Sequence, residues 1–506
     1  MKYVVRTESL LKVVGDVLVL PCFSSTPSIR ETLQEVDAAF QGKLLVHLER
    51  HAFKAHKGEW LMVPTFDVLK TQFLLVVGLG EKSLCDLDTV RFVAAITAQR
   101  SREVKAREVV TCLPLLTGKE VAPRLIAEAW VTGFGSASYQ FHRYKSAKKE
   151  TEKSDKAVVG VERVTLCEST RLRATAIQRG CDAANHVVEA LCLARDLVNT
   201  PPGDMTPQDL LKAAQLVAKD QSRIELKLLT VEDMRKLGMD GTLAVARGSQ
   251  HEAVGVHLTY HPKTKPKKRI AVIGKAVTFD SGGLSLKPAD AMMTMKCDMA
   301  GAAAVIGLFQ ALPTSQVNVE VHGIFLAVEN MPSGSAYRPG DVVKAMNGTT
   351  IEVLNTDAEG RVTLADALSY AATLKPDAMI DLATLTGACV VALGDDLSAL
   401  MTNNPRLGGQ LLRAAREMGE GLWELPLLGS YEDLIKSKVA DIKNIGGRSA
   451  GAITAGLFLQ HFVEKIPWAH LDIAGPAFVE RETRPDHPYG GSGTGVRLLL
   501  RFLQEL

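Results

Sequence analysis

The feature that most constrains the fold is an alternation, repeated along residues 199–506, of short apolar runs with longer segments of helical periodicity. Buried strands joined by amphipathic helices form a mixed, mostly parallel sheet that the helices flank. The predicted strands are Ile224–Leu229, Ala253–Tyr260, Arg269–Gly274, Val319–Val328 and Ala378–Leu382, and the predicted helices are Ala300–Leu312 and Arg361–Leu374. This part of the chain is therefore predicted to be an α/β domain.

The first third of the chain shows the same alternation of predicted strands and helices over a shorter stretch. The predicted strands are Asp16–Pro21, Phe73–Gly80, Val109–Leu113 and Ala157–Leu166, and the predicted helices are Thr89–Ala106 and Ala122–Thr132. This rhythm predicts a second, smaller α/β domain. The turn Gly78-Leu79-Gly80 also allows a nucleotide-binding loop, but the third glycine of that motif is missing at the required spacing, which makes this alternative the weaker one.

Between the two blocks, Arg171–Leu197 has apolar residues at helical spacing over roughly seven turns. The helix has to end at Asn199–Gly203, because two prolines there remove donors and restrict the preceding residue. A chain of 506 residues is also too long for one ordinary core. We expect an N-terminal domain at 1–170 with an oligomerisation or regulatory role, an interdomain helix at 171–198 and a larger C-terminal domain at 199–506.

The charge balance gives no reason to expect a polyanionic partner. The chain has 59 basic and 57 acidic residues, a formal net charge of +2, so no global field favours nucleic acid or an acidic membrane. Two basic runs stand out. Arg143–Lys156 is typical of a solvated surface loop, and Lys263–Arg269 of a solvated hairpin tip between two strands. A nucleic-acid patch at the second run is the alternative, but it has no aromatic residue for base stacking.

The eight cysteines are scattered without C-x-x-C spacing and lie mostly among apolar neighbours, which is typical of free thiols in a reducing compartment. The N-terminus lacks the apolar core of a signal peptide, and we find no run near the ~20 apolar residues that a membrane span needs. We therefore expect a soluble cytoplasmic protein without a membrane partner.

Candidate chemistry is concentrated in two segments. In Asn355–Arg361, the charged residues Asp357, Glu359 and Arg361 occupy every second position. An extended backbone would therefore point all three side chains to the same face. A lone D-x-E is usually a solvated turn. A second segment upstream favours a catalytic centre instead. This glycine-rich stretch contains Lys275, Asp280, Lys287 and Asp298.

Four carboxylates, from Asp280, Asp298, Asp357 and Glu359, supply enough negative charge for two divalent cations without any histidine. Lys275 has two structural alternatives, an ion pair or solvent exposure. As a metal ligand it would have to be neutral, and a nearby dication can lower its pKa enough for that. Lys287 lies beyond a Gly-Gly hinge, where it would stay charged and face a developing oxyanion.

These residues identify a resemblance. The chain is similar to the leucine aminopeptidase family of the cytosolic dizinc type, from about Asn199 to the C-terminus. The motifs are N-T-D-A-E-G-R at Asn355–Arg361, T-F-D-S-G-G at Thr278–Gly283, the K-P that ends the next loop, and W-A-H-L-D-I-A-G at Trp468–Gly475. The sequence departs from the family at Ala276, Val362 and the string G-P-A-F, which affects side-chain preference more than activity.

The resemblance implies that one metal is held by Lys275, Asp280, Asp298 and Glu359, and a second by Asp280, Asp357 and Glu359. Zinc is expected, with manganese, magnesium and cobalt as alternatives. Lys287 would polarise the scissile carbonyl, and Arg361 would anchor a bicarbonate ion as general base. The residues implied to bind substrate are Met295, Asn355, Thr384, Gly387 and Ala474.

The implied reaction is removal of the N-terminal residue, preferably leucine, methionine or similar, from short peptides by a metal-bridged hydroxide. Asp298 would help to hold the free α-amine. A homohexamer built as a dimer of trimers is also implied. Two alternatives remain: another dimetal hydrolase chemistry, such as phosphoester cleavage, and a non-enzymatic role as scaffold, chaperone or DNA-binding assembly. His470 is expected to be a satisfied core or interface histidine, and Cys297 to lie near the metals without binding them.

Overall fold

The structure is a computed structural model that describes residues 1–114, 121–146 and 160–506. These residues divide into two compact units, which are Met1–Val188 with Glu482–Pro488, and Glu189–Arg481 with Tyr489–Leu506. The division falls inside one long helix, Arg171–Asn199. Most of the basic run Arg143–Lys156, and the start of the predicted strand at Ala157, lie outside the described residues.

The first unit is built on a six-stranded sheet of order β1-β6-β5-β2-β4-β3. Its strands are β1 Lys2–Arg6, β2 Gly15–Phe23, β3 Trp60–Pro64, β4 Thr71–Gly80, β5 Glu108–Thr111 and β6 Arg163–Cys167. The helices are α1 Thr26–Ala39, α2 Lys43–Arg50, α3 Leu87–Glu103, α4 Pro123–Ser138 and the first part of α5, which spans Arg171–Asn199. The ladder between β3 and β4 is antiparallel, whereas the ladders of β2 with β4 and β5, and of β6 with β1 and β5, are parallel. The small α/β fold expected here is confirmed.

Both faces of this sheet are covered, which explains why β2 and β4 read as continuous apolar runs. Helices α3 and α4 supply one apolar cluster, and α1 and α2 contribute to the other. Gly78 lies within β4, where an added Cβ would come 2.1 Å from the carbonyl oxygen of His56. This close packing is enough to explain why residue 78 is a glycine, and a nucleotide-binding role is not needed for that explanation.

The second unit contains a nine-stranded sheet of order β16-β15-β18-β14-β9-β11-β8-β7, with β10 paired to β11. Its strands are β7 Ile224–Leu229, β8 Val254–Tyr260, β9 Arg269–Gly274, β10 Ala276–Asp280, β11 Glu320–Asn330, β14 Ala378–Ala383, β15 Leu397–Thr402, β16 Gly421–Glu424 and β18 Trp468–Asp472. The central ladders β18-β14, β14-β9 and β9-β11 are parallel, while β15-β18, β11-β8 and β8-β7 are antiparallel. The mixed, mostly parallel sheet is confirmed.

Short strands and helices complete this unit. The short strands are β12 Val342–Lys344, β13 Thr350–Glu352, β17 Ile442–Lys443, β19 Phe478–Val479 and β20 Gly490–Gly491. The helices are α6 Pro207–Ala218, α7 Val231–Leu237, α8 Asp240–Ala246, α9 Ala289–Met292, α10 Ala300–Ala311, α11 Glu359–Thr373, α12 Gly387–Leu393, α13 Pro405–Met418, α14 Gly451–Gln460 and α15 Val496–Gln504.

The predicted hairpin at Lys263–Arg269 is wrong. Strands β8 and β9 both pair with β11, so β11 lies between them and the segment that joins them crosses the end of β11. Apolar strands that are adjacent in sequence need not be adjacent in a sheet, and periodicity alone does not distinguish the two cases. The expected exposure is present, because residues 263–269 are all exposed.

Helix α10 packs unusually close to the sheet. An added Cβ at Gly301 would come 2.1 Å from the carbonyl oxygen of Leu382 and 2.7 Å from the amide nitrogen of Lys275. The stretch Ala289–Thr314 is long and apolar enough to span a membrane by composition, but most of it is buried inside the protein. Its apolar character is therefore accounted for by packing on the sheet.

Candidate active site

All of the predicted metal-binding and catalytic residues belong to the second unit, and three of them lie near the ends of buried elements. Lys275 follows β9 directly, Asp280 ends β10, and Asp298 lies two residues before α10. The remaining residues come from the loop after β10, which carries Lys287, and from the start of α11, which carries Glu359. The parallel pairing of β9, β10 and β11 brings the first two segments to the same edge of the sheet.

The centre of the site is a cluster of acidic side chains. Oxygen atoms of Asp280, Asp357 and Glu359 lie within 4.8 Å of one another, and Asp280 and Glu359 are almost fully buried. Burial, together with the charge of Asp280, raises the pKa of Glu359 to about 8 and also raises the pKa of Asp357. Like charges this close are unfavourable unless cations compensate them.

Lys275 is buried against this cluster as an ion pair. Its Nζ lies 2.7 Å from Asp298 Oδ1 and 2.9 Å from Glu359 Oε1. Burial lowers the pKa of Lys275, but the charges of Asp298 and Glu359 outweigh it and leave the pKa raised. Burial also raises the pKa of Asp298 to about 6, against the opposing charge of Lys275. In this arrangement Lys275 is a counter-ion, the first of its two structural alternatives.

Lys287 approaches the opposite side of the cluster. Its Nζ lies 2.9 Å from Asp280 Oδ2 and 2.5 Å from Asp357 Oδ1. Two glycines turn the chain back to make this approach. Gly282 and Gly283 have φ of +84° and +63°, and the N–H of Lys287 donates to the carbonyl of Ser281 at 2.9 Å. The predicted Gly-Gly hinge is therefore present as a tight turn.

The backbone of Asp357–Arg361 is not extended. Asp357 lies in a turn, and Glu359 and Arg361 are in the first turn of α11. The side chain of Asn355 stabilises this turn by accepting the N–H of Asp357 at 2.9 Å. The acids still converge, because the turn and the helix start place Asp357 and Glu359 on the same side of the site.

Arg361 is largely buried, and burial lowers the pKa of its guanidinium to about 10, against the opposing charge of Glu359. Its Nη1 donates to the carbonyl of Asn444 at 2.8 Å, whereas its Nε has no hydrogen-bond partner among the described residues. Asn444 also donates to the carbonyl of Asn355 at 2.7 Å. The two ends of the Asn355–Arg361 segment are thus held by one buried asparagine.

Sequence reasoning missed Asn444 and also Asn330, which is fully buried at the end of β11. The Nδ2 of Asn330 donates to Asp280 Oδ1 at 2.8 Å and to the carbonyl of Thr356 at 3.0 Å. It therefore links the two acidic segments. Neither asparagine lies in a recognisable motif, so a single sequence contains no signal for them.

Of the expected substrate-binding residues, Thr384 is joined most directly to the acids. Its Oγ1 donates to Asp298 Oδ1 at 2.7 Å, and its carbonyl accepts Nζ of Lys275 at 3.0 Å. Met295 lies in the same turn as Asp298 and is half-buried. Gly387 is exposed at the start of α12, and an added Cβ there would meet no atom within 4 Å. Ala474 is half-buried just after β18.

The buried carboxylates fit divalent cations. Among the described residues, Asp298 Oδ2 and Glu359 Oε2 are buried without a hydrogen-bond partner, so both oxygens are free to bind. Hard oxygen donors with surplus negative charge are what such cations prefer. Burial raises the pKa of the neighbouring Cys297 thiol to about 12, so this thiol is protonated in the metal-free protein.

Comparison with known proteins identifies the family. Residues 192–500 match the cytosol aminopeptidase family, catalytic domain, and residues 19–148 match its N-terminal domain. The chain belongs to the cytosol aminopeptidase family. It is a metal-dependent aminopeptidase, and hence a hydrolase. The resemblance inferred from the motifs is confirmed.

Two relatives and two solved structures illustrate the extent of the match. A probable cytosol aminopeptidase of Persephonella marina is 42% identical over 95% of both chains, and one of Alkaliphilus oremlandii is 36% identical over 100% of both. A mutant of tomato leucine aminopeptidase superposes with a TM-score of 0.89 at 33% identity, covering 100% of this chain and 97% of its own. Bottromycin maturation enzyme BotP in complex with Mn superposes with a TM-score of 0.84 at 35% identity, covering 97% and 99%.

Proposed function

We propose that this aminopeptidase removes leucine, methionine or a similar residue from the free N-terminus of short peptides, using two divalent cations. The observation that supports this most strongly is the buried acidic cluster with its unpartnered oxygens at Asp298 and Glu359. Zinc is the expected metal, and manganese is a credible alternative because a related structure is a manganese complex.

The proposed ligands divide into two overlapping sets. Lys275, Asp280, Asp298 and Glu359 would hold one cation, and Asp280, Asp357 and Glu359 the other. When bound, the cations supply a water of lowered pKa as nucleophile and polarise the scissile carbonyl. Lys275 has to lose a proton to become a ligand, so its present ion pairs with Asp298 and Glu359 would be broken.

The remaining residues act on the substrate or on the base. Lys287 stays an ammonium and would donate to the carbonyl oxygen as that oxygen gains charge. Asp298 would accept from the peptide's α-amine, which restricts cleavage to the first residue. Arg361 would anchor a bicarbonate ion as general base, and its unpartnered Nε leaves a donor for that purpose.

The pocket for the first side chain would be formed by Met295, Thr384, Gly387 and Ala474, with Asn355 at its edge. A flexible methionine and the open space above Gly387 suit an unbranched or γ-branched apolar side chain. We also propose a homohexamer in the cytoplasm, with domain limits at 1–170, 171–198 and 199–506. Mass measurement in solution tests the assembly, and a stable monomer would contradict it.

The decisive experiment compares leucyl peptides that have a free or an acetylated N-terminus, with the metal content measured in the same sample. We expect cleavage of the free peptide and none of the acetylated peptide, with two metal ions per chain. Equal cleavage of both peptides would instead indicate a different hydrolase chemistry. A chain that binds metal but cleaves neither peptide would refute catalysis of this kind.

A further inference from the structure

Asp472, at the end of β18, is a buried carboxylate that the proposed reaction does not use. It is fully buried between β14 and β15, paired in register with Ala383 and Ala399. Its Oδ1 accepts the N–H of Leu385 at 3.1 Å and of Ala474 at 3.2 Å. Its Oδ2 accepts the hydroxyl of Thr386 at 2.7 Å. Among the described residues, none of these donors is a cationic side chain.

The donors come from two segments that are far apart in sequence. Leu385 and Thr386 form the turn between β14 and α12, and Ala474 follows β18. Thr386 is fixed on both sides, because its Oγ1 also accepts the N–H of Cys389 at 3.0 Å as the N-cap of α12. A single carboxylate therefore joins the two segments.

These segments contain three of the proposed pocket residues, Thr384, Gly387 and Ala474. Thr384 extends the connection to the metal ligands, since its hydroxyl donates to Asp298 and its carbonyl accepts Lys275. Among the described residues, the side chain of Asp472 accepts hydrogen bonds from Leu385, Thr386 and Ala474 rather than from either ligand. Its effect on a substrate would pass through the turn at residues 384–387.

We propose that Asp472 is a positioning residue that sets the shape of the pocket for the substrate's first side chain. This inference rests on the proposed aminopeptidase function. A carboxylate is needed because all three groups donate to it. In an Asp472→Asn variant, the amide nitrogen would face the Thr386 hydroxyl, whose hydrogen would lose its acceptor. The turn would then relax, and the pocket would discriminate less well between side chains.

The test measures kcat and KM on leucyl, methionyl and alanyl peptides for the Asp472→Asn protein loaded with metal. We expect the preference in kcat/KM for leucine over alanine to fall about tenfold, since a misfitted apolar pocket loses discrimination of that order. The content of two metal ions should be retained.

Asp366 offers a closely matched control. It is also a fully buried aspartate of the second unit, and it accepts two backbone N–H groups and a hydroxyl, from Thr242 and Met346. Asp366→Asn should reduce thermal stability similarly without changing the leucine-to-alanine preference. If the two variants alter this preference equally, or if Asp472→Asn loses metal with the preference intact, the inference is wrong.

A second pair of variants decides the matter if Asp472→Asn does not fold. Thr386→Val removes the hydroxyl while keeping the branched shape, and Thr386→Ser keeps the hydroxyl. We expect the preference for leucine over alanine to fall in Thr386→Val and to be retained in Thr386→Ser. An unchanged preference in Thr386→Val would overturn the inference. A wild-type protein that cleaves no N-terminal residue would refute the proposed function instead, which is a distinguishable result.

Discussion

Replacing Lys287 with methionine tests the assignment of this side chain to the oxyanion. Methionine keeps the unbranched stem and removes the ammonium, which lies 2.9 Å from Asp280 and 2.5 Å from Asp357. The side chain is only 14% exposed, so water does not easily replace the lost charge. The substitution therefore removes a donor from a site that is largely shielded from solvent.

The magnitude follows from the position of the ammonium. Loss of one preorganised oxyanion donor costs about 10²–10³ in kcat, or about 2.7–4 kcal/mol of transition-state stabilisation. Metal binding should not weaken, because Lys287 competes with cations for Asp280 and Asp357 rather than helping to hold them. The variant should consequently lose rate while keeping both metals.

The assay is steady-state cleavage of a leucyl peptide, with metal content measured on the same preparations. Lys212→Met is the control, because that ammonium also lies 2.9 Å from an aspartate, Asp209, but at an exposed site. The control should retain full turnover. If Lys287→Met reduces kcat less than about threefold, or if its rate loss follows a loss of metal, the electrophilic role of Lys287 is refuted.

Three further predictions concern metal binding, pH and packing. Glu359→Ala should lose metal by elemental analysis, whereas Arg361→Ala should keep metal and lose turnover. Burial and the charge of His322 lower the pKa of His257 to about 4, so stability should fall as pH drops from 6.5 to 4, by at most about 3 kcal/mol. Urea unfolding at pH 7.5 and 5.0 measures this, and His257→Gln should lessen the difference. Gly301→Ala should destabilise by more than about 3 kcal/mol or prevent folding, because its Cβ would overlap a backbone oxygen, and thermal unfolding measures the loss.

Much of the fold was predictable because the central strands are apolar on both faces and the outer strand β7 begins with alternating apolar and polar residues. Strands β7 and β9 have the predicted limits, and β8, β11 and β14 differ by a residue or two. β10 was missed because Lys275 interrupts the apolar pattern between it and β9. The short strands β12, β13 and β17 were missed because two or three residues give no periodicity. Strand order was not predictable either, as the wrong hairpin at Lys263–Arg269 illustrates.

The predicted site residues came from motifs, whereas the residues that support them did not. Asn330 bonds to Asp280 across 50 positions, and Asn444 bonds to Arg361 across 83. Such partners are dictated by the folded positions of the backbone, which one sequence does not contain. Local geometry was equally hidden, because the D-x-E spacing fits a strand as well as the turn and helix start that occur.

The charges at the centre explain why two lysines accompany the four carboxylates. Asp280, Asp298, Asp357 and Glu359 would repel one another in a buried site, and each is paired with Lys275 or Lys287. With all four carboxylates ionised, these carboxylates and the two ammonium groups sum to −2, and two divalent cations would reverse the sign of that charge. Release of a proton from Lys275 would reduce the excess positive charge, and an anion near Arg361 would reduce it further. On this argument, an anionic base and a neutral Lys275 would both follow from loading two cations into a site that already contains two ammonium groups.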